Sequence, residues 1–287
     1  LPLCFFVSDL HGRVDRYAKL FDRISSEHPA ALFLGGDILP SGVAALFRGS
    51  RFNGDFLNDF MIPEFVKLRQ TMGNNYPRVF LIMGNDDLRS EEPLIIKAAS
   101  LGIWEYMHQQ WTDFDRYKIG GYSYVPPSPF LLKDWERYDI SRYVDPGSVS
   151  PEEGHRTVPV PESEIIYSTI AGDLEKLTGQ NSLNTTVLLF HAPPYKTNLD
   201  RAALDGKKID HVPLDVHVGS IAVRKFIESR QPLLTLHGHI HESARLTGSW
   251  QDRIEKTICL SAAHDGPELA LVRVDLDHPA EAVRELI

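Results

Sequence analysis

The sequence predicts an α/β layered protein, and three observations carry that prediction. Five apolar runs read as buried strands: 3–9, 31–37, 78–86, 186–192 and 233–239. Helix-period stretches separate the first three of them, and strands alternating with helices build layered α/β folds. Each run ends in Asp, Asn or His, and ligands in such folds gather where strands end and loops begin. At 287 residues the chain is long enough for a substantial core without disulfides.

Taken in order, the run 3–9 (LCFFVSD) is short, apolar and β-prone, and it leads into a helix from Arg13 to Glu27. There Val14, Tyr17, Leu20, Phe21 and Ile24 recur at helical spacing on one face. ALFLGGD (31–37) is the next strand, and a second helix follows over 58–72, its face set by Phe60, Met61, Phe65 and Leu68. RVFLIMGND (78–86) and TVLLFHA (186–192) are further strands, and a helix is expected over 221–228. Behind the strand LLTLHGH (233–239), the runs ARLTG, KTICLSAA and ELALVRVDL lie close together and read as strands. They suggest an antiparallel portion or a second sheet packed on the first.

Between about 120 and 161 the pattern breaks down. Seven prolines alternate with Tyr122, Tyr124, Phe130, Trp135, Tyr138 and Tyr143. A segment this long and irregular is usually functional or disordered, and its aromatic content favours an ordered lid. No repeat or linker divides the chain, so residues 1–287 are expected to form one domain with this lid inserted.

Cys4 and Cys259 both lie in apolar strand-like runs and are expected to be reduced core residues, as in a reducing compartment. The chain starts at Leu1 without Met, so a residue or more is expected to precede it. It shows neither a signal peptide nor a membrane-spanning run. A cytoplasmic location is the expectation. The net charge is −9, from 39 acidic and 30 basic residues, which disfavours nucleic acid as a partner. It does not exclude a phosphate ester, because bound divalent cations would reverse the local charge.

The polar residues at the strand ends are candidate ligands: Asp9 and His11, Asp37, Asn85, His191, and the pair His239 and His241. Oxygen and imidazole donors without thiolate suit Mn, Fe or Zn, with Mn favoured, more than a structural zinc site. Seven donors exceed one ion's needs. A pair of ions about 3.5–4 Å apart, bridged by a carboxylate, is the natural solution. Singly, each of these residues except the His239–His241 pair reads as well as a turn or loop residue; it is their order and common position that speak.

The segments Asp9-Leu10-His11, Gly36-Asp37, Gly84-Asn85-Asp86, His191 and Gly238-His239-Ile240-His241 resemble the motifs of the calcineurin-like metallophosphoesterases, in the same order. The resemblance implies a four-layer αββα sandwich of two packed mixed β-sheets flanked by helices. It implies one metal held by Asp9, His11, Asp37 and His241, and another held by Asp37, Asn85, His191 and His239. It also implies hydrolysis of a phosphate ester by a hydroxide bridging the two ions. His237 has no place in the motif and is expected to be a satisfied neighbour.

One departure stands out. Asp86 occupies the position where the family has a histidine thought to assist the leaving group. An ordinary carboxyl titrates near 4 and cannot donate a proton at neutral pH. Asp86 is therefore expected to orient a histidine from another loop; alternatively, Asp86 or Asp87 caps the turn or pairs with Arg89. A substitute donor is sought in the stretch 211–220, where His211 and His217 flank a Pro-containing loop before the 221–228 helix, and His217 could serve phosphate contact at the helix N-terminus. The alternative there is a plain Ser220 cap with an exposed histidine; Tyr195 and Lys196 are lesser candidates. The favoured activity is a phosphodiesterase on a small phosphate ester or a nucleotide, with a preference for acidic leaving groups. The alternatives are a phosphomonoesterase, including one acting on phosphoprotein, and a non-catalytic metal-binding scaffold of the same fold. Nothing in the sequence sets the oligomeric state.

Overall fold

The computed structural model describes residues 3–41 and 54–287. Two six-stranded sheets are stacked between helices, which is the predicted sandwich. The first sheet is built on β1 (Leu3–Val7), β2 (Ala31–Gly35), β3 (Arg78–Ile82) and the short β4 (Glu105–Tyr106), all parallel. The second is built on β5 (Trp111–Phe114), β6 (Tyr117–Tyr122), β7 (Thr186–Phe190) and β10 (Leu234–His237). A small hairpin, β8 (Lys208–Ile209) and β9 (Val212–Pro213), stands apart from both.

Strict alternation along the strands fills two separate layers. Phe6, Phe33 and Phe80 of the first sheet meet Val187, Leu189 and Leu236 of the second in one buried cluster. The alternate residues, Phe5, Val7, Leu32 and Leu34, join Tyr17, Leu20 and Ile24 of α1 (Val14–Glu27) on the outer side. Both faces of each strand are thus buried, which is why these runs are apolar throughout. α2 (Ile62–Met72) is entered through a π-helical turn, Leu57–Met61, and α3 is Glu92–Ser100. α4 (Glu162–Tyr167) and α5 (Ile170–Thr178) precede β7, and α6 (Ile221–Arg230) precedes β10.

The C-terminal third divides between the sheets. β11 (Gln251–Ile254) and β12 (Thr257–Ser261) extend the second sheet, whereas β13 (Ala270–Asp275) pairs antiparallel onto β1 and β14 (Val283–Leu286) antiparallel onto β13. The expected strand at ARLTG is corrected: Ser243–Thr247 is a short helix, α7, ended by Gly248 at φ 77°. Strands that the sequence pattern does not announce are also present, among them β5 and the interior strand β6. The expected irregular region therefore begins at Ser123, since Gly120 and Gly121 belong to β6. Cys4 and Cys259 are both buried and outside any disulfide, as expected.

The segment expected to form a lid is ordered by its own chemistry. Residues 132–138 are buried, with Trp135 wholly so. The Val125 amide donates to the Trp135 carbonyl at 2.9 Å and the Arg137 amide to the Val125 carbonyl at 3.0 Å. The Lys133 ammonium and Glu136 carboxylate form an ion pair in which neither side chain is exposed. Further along, the Asp139 carboxylate accepts from the Ser220 hydroxyl at 2.6 Å and the Ile221 amide at 2.7 Å. This pins the segment to the start of α6.

Candidate metal centre and its cleft

Parallel strands of both sheets end on the same side of the sandwich, and that is where the predicted donors meet. β1 delivers Asp9 and His11, β2 Asp37, β3 Asn85, β7 His191 and β10 His239 and His241. Immediately past the strand ends the backbone turns sharply, with Asp9 at φ 56°, His11 at 48°, Asp37 at 50° and His239 at 75°. Four non-glycine residues in the left-handed region within one site mark stored backbone strain, which persists only where the surroundings hold it. Glycine is required beside them. A Cβ on Gly84 would lie 2.5 Å from the Asp37 nitrogen and 2.6 Å from His191 Nε2.

Asp9, His11, Asp37 and His241 each offer one ligand atom, and these atoms lie within 4.8 Å of one another, a set that could hold a metal ion. His11 Nε2 faces His241 Nε2 at 3.1 Å, and His241 Nε2 lies 3.1 Å from Asp9 Oδ1. Asp37 reaches the other group as well: His191 Nε2 is 3.2 Å from Asp37 Oδ2 and 3.1 Å from Asn85 Oδ1. The His191 and His239 rings are 5.2 Å apart. Nδ1 of His191 bonds the Gly35 carbonyl at 2.8 Å, so it carries the hydrogen and Nε2 is the nitrogen turned to the cluster.

The electrostatics show what the cluster wants. Burial opposes charge on His191, yet the Asp37 carboxylate beside it raises its pKa to about 9. Burial likewise opposes charge on His11, but Asp86, Asp37 and Asp9 raise it to about 9. Against the same burial, Asp9 is held below the ordinary carboxylate range by His241, His191 and His11. Convergent carboxylates thus draw protons onto the imidazoles, and a divalent cation satisfies the same demand through the same nitrogens. Burial and the neighbouring His191 push His239 the other way, to about 3, so its ring is neutral and ready as a ligand. The donor set and its electrostatics fit divalent cations.

His237 lies outside the cluster. Nδ1 bonds the Ala192 carbonyl at 2.9 Å and Nε2 meets Thr235 Oγ1 at 2.8 Å, which accounts for both ring nitrogens.

Asp86 turns toward His11, with Oδ2 3.3 Å from Nδ1, and accepts from the Ser41 hydroxyl at 2.9 Å. Its amide donates to Asp37 Oδ1 at 2.8 Å. The expected pairing with Arg89 is corrected: Arg89 Nε meets Glu92 at 3.3 Å, and its Nη1 meets the Tyr124 hydroxyl at 3.0 Å. Of the two residues expected to cap the turn, Asp87 does so. Fully buried, it accepts from the amides of Gly84 (2.8 Å), Leu39 (2.7 Å) and Ile38 (3.3 Å). It thereby ties the β2 loop to the β3 loop.

His217 does line the cleft that opens from this cluster. Its Nδ1 bonds Asp200 Oδ1 at 2.8 Å. Asp200 is fully buried and is itself held by the amides of Lys196, Thr197 and Gly219. No local pattern marks Asp200 in the sequence, because its partner His217 is distant in the chain. The expectation of phosphate contact at the start of α6 is corrected: Ser220 caps the helix through the Val223 amide at 3.0 Å, and the Asp139 carboxylate takes the amides of Ile221 and Ala222. Tyr195 also lines the cleft and donates to Asp215 at 2.5 Å.

The comparisons with known proteins agree with this layout. One solved structure aligns over 99% of the chain and 98% of its own length at a TM-score of 0.61 with 17% identity. TT1561 of Thermus thermophilus aligns over 100% and 99% at 0.56 with 14% identity. At such identities the likeness is one of fold. An archaeal phosphodiesterase aligns over 99% of both chains at 0.45 with 9% identity. No curated protein matches the sequence significantly. The model of the calcineurin-like phosphoesterases matches residues 4–243, a span that runs from the first strand past the last donor, and the chain belongs to that family.

Proposed function

We propose that this chain is a phosphodiesterase working with two divalent cations, one held by Asp9, His11, Asp37 and His241 and the other by Asp37, Asn85, His191 and His239. The observation that carries the reading is the reach of Asp37 into both donor groups. Bound cations would neutralise the phosphoryl oxygens and lower the pKa of the attacking water. Mn²⁺ is the favoured ion, given oxygen and imidazole donors without thiolate.

The residues around the ions divide the remaining work. Asp86 acts as a positioning residue, since its carboxylate is spent on His11 and Ser41. His217 is the group that hands a proton to the departing oxygen. Asp200 holds its ring in one orientation and stabilises the imidazolium, as a buried carboxylate does behind a catalytic histidine. The same reading takes residues 1–287 as one domain, with the segment near 120–161 as its lid.

Initial rates on bis(p-nitrophenyl) phosphate and p-nitrophenyl phosphate, with Mn²⁺ titrated into the metal-free protein, test this. Two ions per chain and metal-dependent turnover favouring the diester are expected. Two bound ions without turnover of either ester would favour a non-catalytic scaffold, and failure to bind Mn²⁺ would overturn the ligand assignment.

A further inference from the structure

The cleft above the cluster is large, and among the described residues no lysine or arginine lines it. Its volume is about 1210 Å³, and His11, Asp37, Asn85, Asp86, His239 and His241 lie at one end of it. Ordinary ligand pockets occupy about 300–1,000 Å³. Two walls rise from the cluster. The lid contributes Phe130, Ile140 and Tyr143, which are 54%, 42% and 68% exposed, and the segment carrying the β8–β9 hairpin contributes Leu204, Ile209 and Val212. Gly147 of the lid, at φ 89°, passes so close to the hairpin that a Cβ there would lie 2.5 Å from Ile209 Cδ1. The two walls therefore meet.

Large side chains that would normally be buried are here gathered on a concave surface continuous with the candidate metal centre. Apolar patches of that kind mark binding sites. Among the described residues no lysine or arginine lines the cleft, whereas Asp139, Asp145, Asp215 and Glu242 do. Among the described residues a nucleotide polyphosphate or a nucleic acid backbone would meet no lysine or arginine, only the metals and the His217 imidazole, and it would meet like charge along the walls. A single phosphate at the metals with a long apolar arm along the walls meets neither objection.

We propose that the substrate is an amphiphilic phosphodiester, with one phosphate at the metal cluster and a long hydrocarbon chain lying between the lid and the β8–β9 hairpin. The inference rests on the phosphodiesterase reading and specifies its substrate class. Hydrolysis forms a bond from water oxygen to phosphorus and breaks the bond to the leaving oxygen, which departs with the proton, so the chain stays on the alkyl phosphate product. The apolar walls add affinity in proportion to the methylenes they cover.

The test is a series of p-nitrophenyl alkyl phosphates, from methyl to dodecyl, assayed below their critical micelle concentrations with the Mn²⁺-loaded full chain. The leaving group is constant, so only the arm varies. A fully buried methylene gives about a fourfold gain; with the cleft open to water, about 100-fold in kcat/KM from methyl to octyl is expected. Ile209→Ser combined with Val212→Ser should reduce the octyl-to-methyl ratio by about tenfold. Calorimetry with dodecylphosphocholine, also below its micellar concentration, reads binding without turnover, and a loss of affinity in the double variant is expected.

A rate independent of chain length would overturn the proposal while leaving the phosphodiesterase reading intact, as would a rise confined to micellar concentrations. No turnover of any ester with binding that still weakens in the double variant would overturn the phosphodiesterase reading and keep the amphiphile site. No turnover and no binding would overturn both.

Discussion

Replacing Glu136 by Gln puts the lid itself to the test. Lys133 and Glu136 are both fully buried, and Lys133 Nζ also donates to the Ser128 carbonyl at 3.0 Å. Burial lowers the Lys133 pKa and the Glu136 carboxylate opposes that effect. With Gln at 136 the ammonium loses its counter-charge while staying dry. Removing one partner of a buried pair costs about 3–5 kcal/mol. The upper bound follows from letting the lysine go neutral instead. With a reference pKa near 10.4 and about 1.36 kcal/mol per unit, that costs about 4.6 kcal/mol at pH 7 and about 1.9 kcal/mol at pH 9.

The sign of the pH effect is fixed by linkage. In the variant the opened lid binds the lysine proton and the closed lid does not, so the closed form gains stability as pH rises toward about 10.4. In the wild type the Glu136 carboxylate opposes the burial that lowers the Lys133 pKa, so lid stability should vary less with pH than in the variant. Hydrogen exchange at the amides of Val125 and Arg137, corrected for intrinsic rates, reads the opening free energy, since both amides bond within the lid. A variant whose opening differs from wild type by less than about 1 kcal/mol at pH 7, or shows no slope with pH, would refute this account of what orders the lid.

Two further outcomes bear on the chemistry. His217→Gln should lower kcat on an alkyl ester by about 10²–10³ and leave an aryl ester with an acidic leaving group within a few-fold of wild type; equal losses on both esters would remove His217 as proton donor. Mn²⁺ affinity, measured by calorimetry between pH 6 and 9, should rise with pH, because His11 and His191 hold protons to about 9 in the metal-free cluster and must release them to bind a cation. Proton release that differs between buffers of different ionisation heat should accompany binding, and an affinity that is flat over that window would contradict the raised pKa values.

The sheets and the donor positions are legible because each depends on local pattern. The runs around Phe5, Phe33, Phe80 and Leu188 are apolar at every position, as strands buried on both faces must be, and each breaks at a polar residue in a loop. β6 is illegible for a physical reason. Its YKIGGY sequence reads as a turn, yet a Cβ on Gly121 would lie 2.6 Å from Ile82 Cγ2, and one on Gly120 would lie 2.5 Å from the Trp111 ring. The glycines serve close approach between and within the layers. The stretch ARLTG offers two apolar residues at alternate positions, a pattern too short to separate a strand from the single turn of helix that follows His241.

What local pattern cannot carry is the arrangement behind the donors. Asp200 lies behind His217, Asp87 spans the β2 and β3 loops, and Asp139 caps α6 from the lid. Each of these carboxylates takes two or three backbone amides from the folded chain around it, so its role exists only once the chain has closed. Asp86 shows the same point from the other side. Asp can read as a turn former or as a failed acid; held against His11 and Ser41, its carboxylate is already engaged, and under the proposed function an imidazole elsewhere in the cleft supplies the proton. That division of labour makes the departure at 86 compatible with turnover, provided His217 reaches the leaving oxygen.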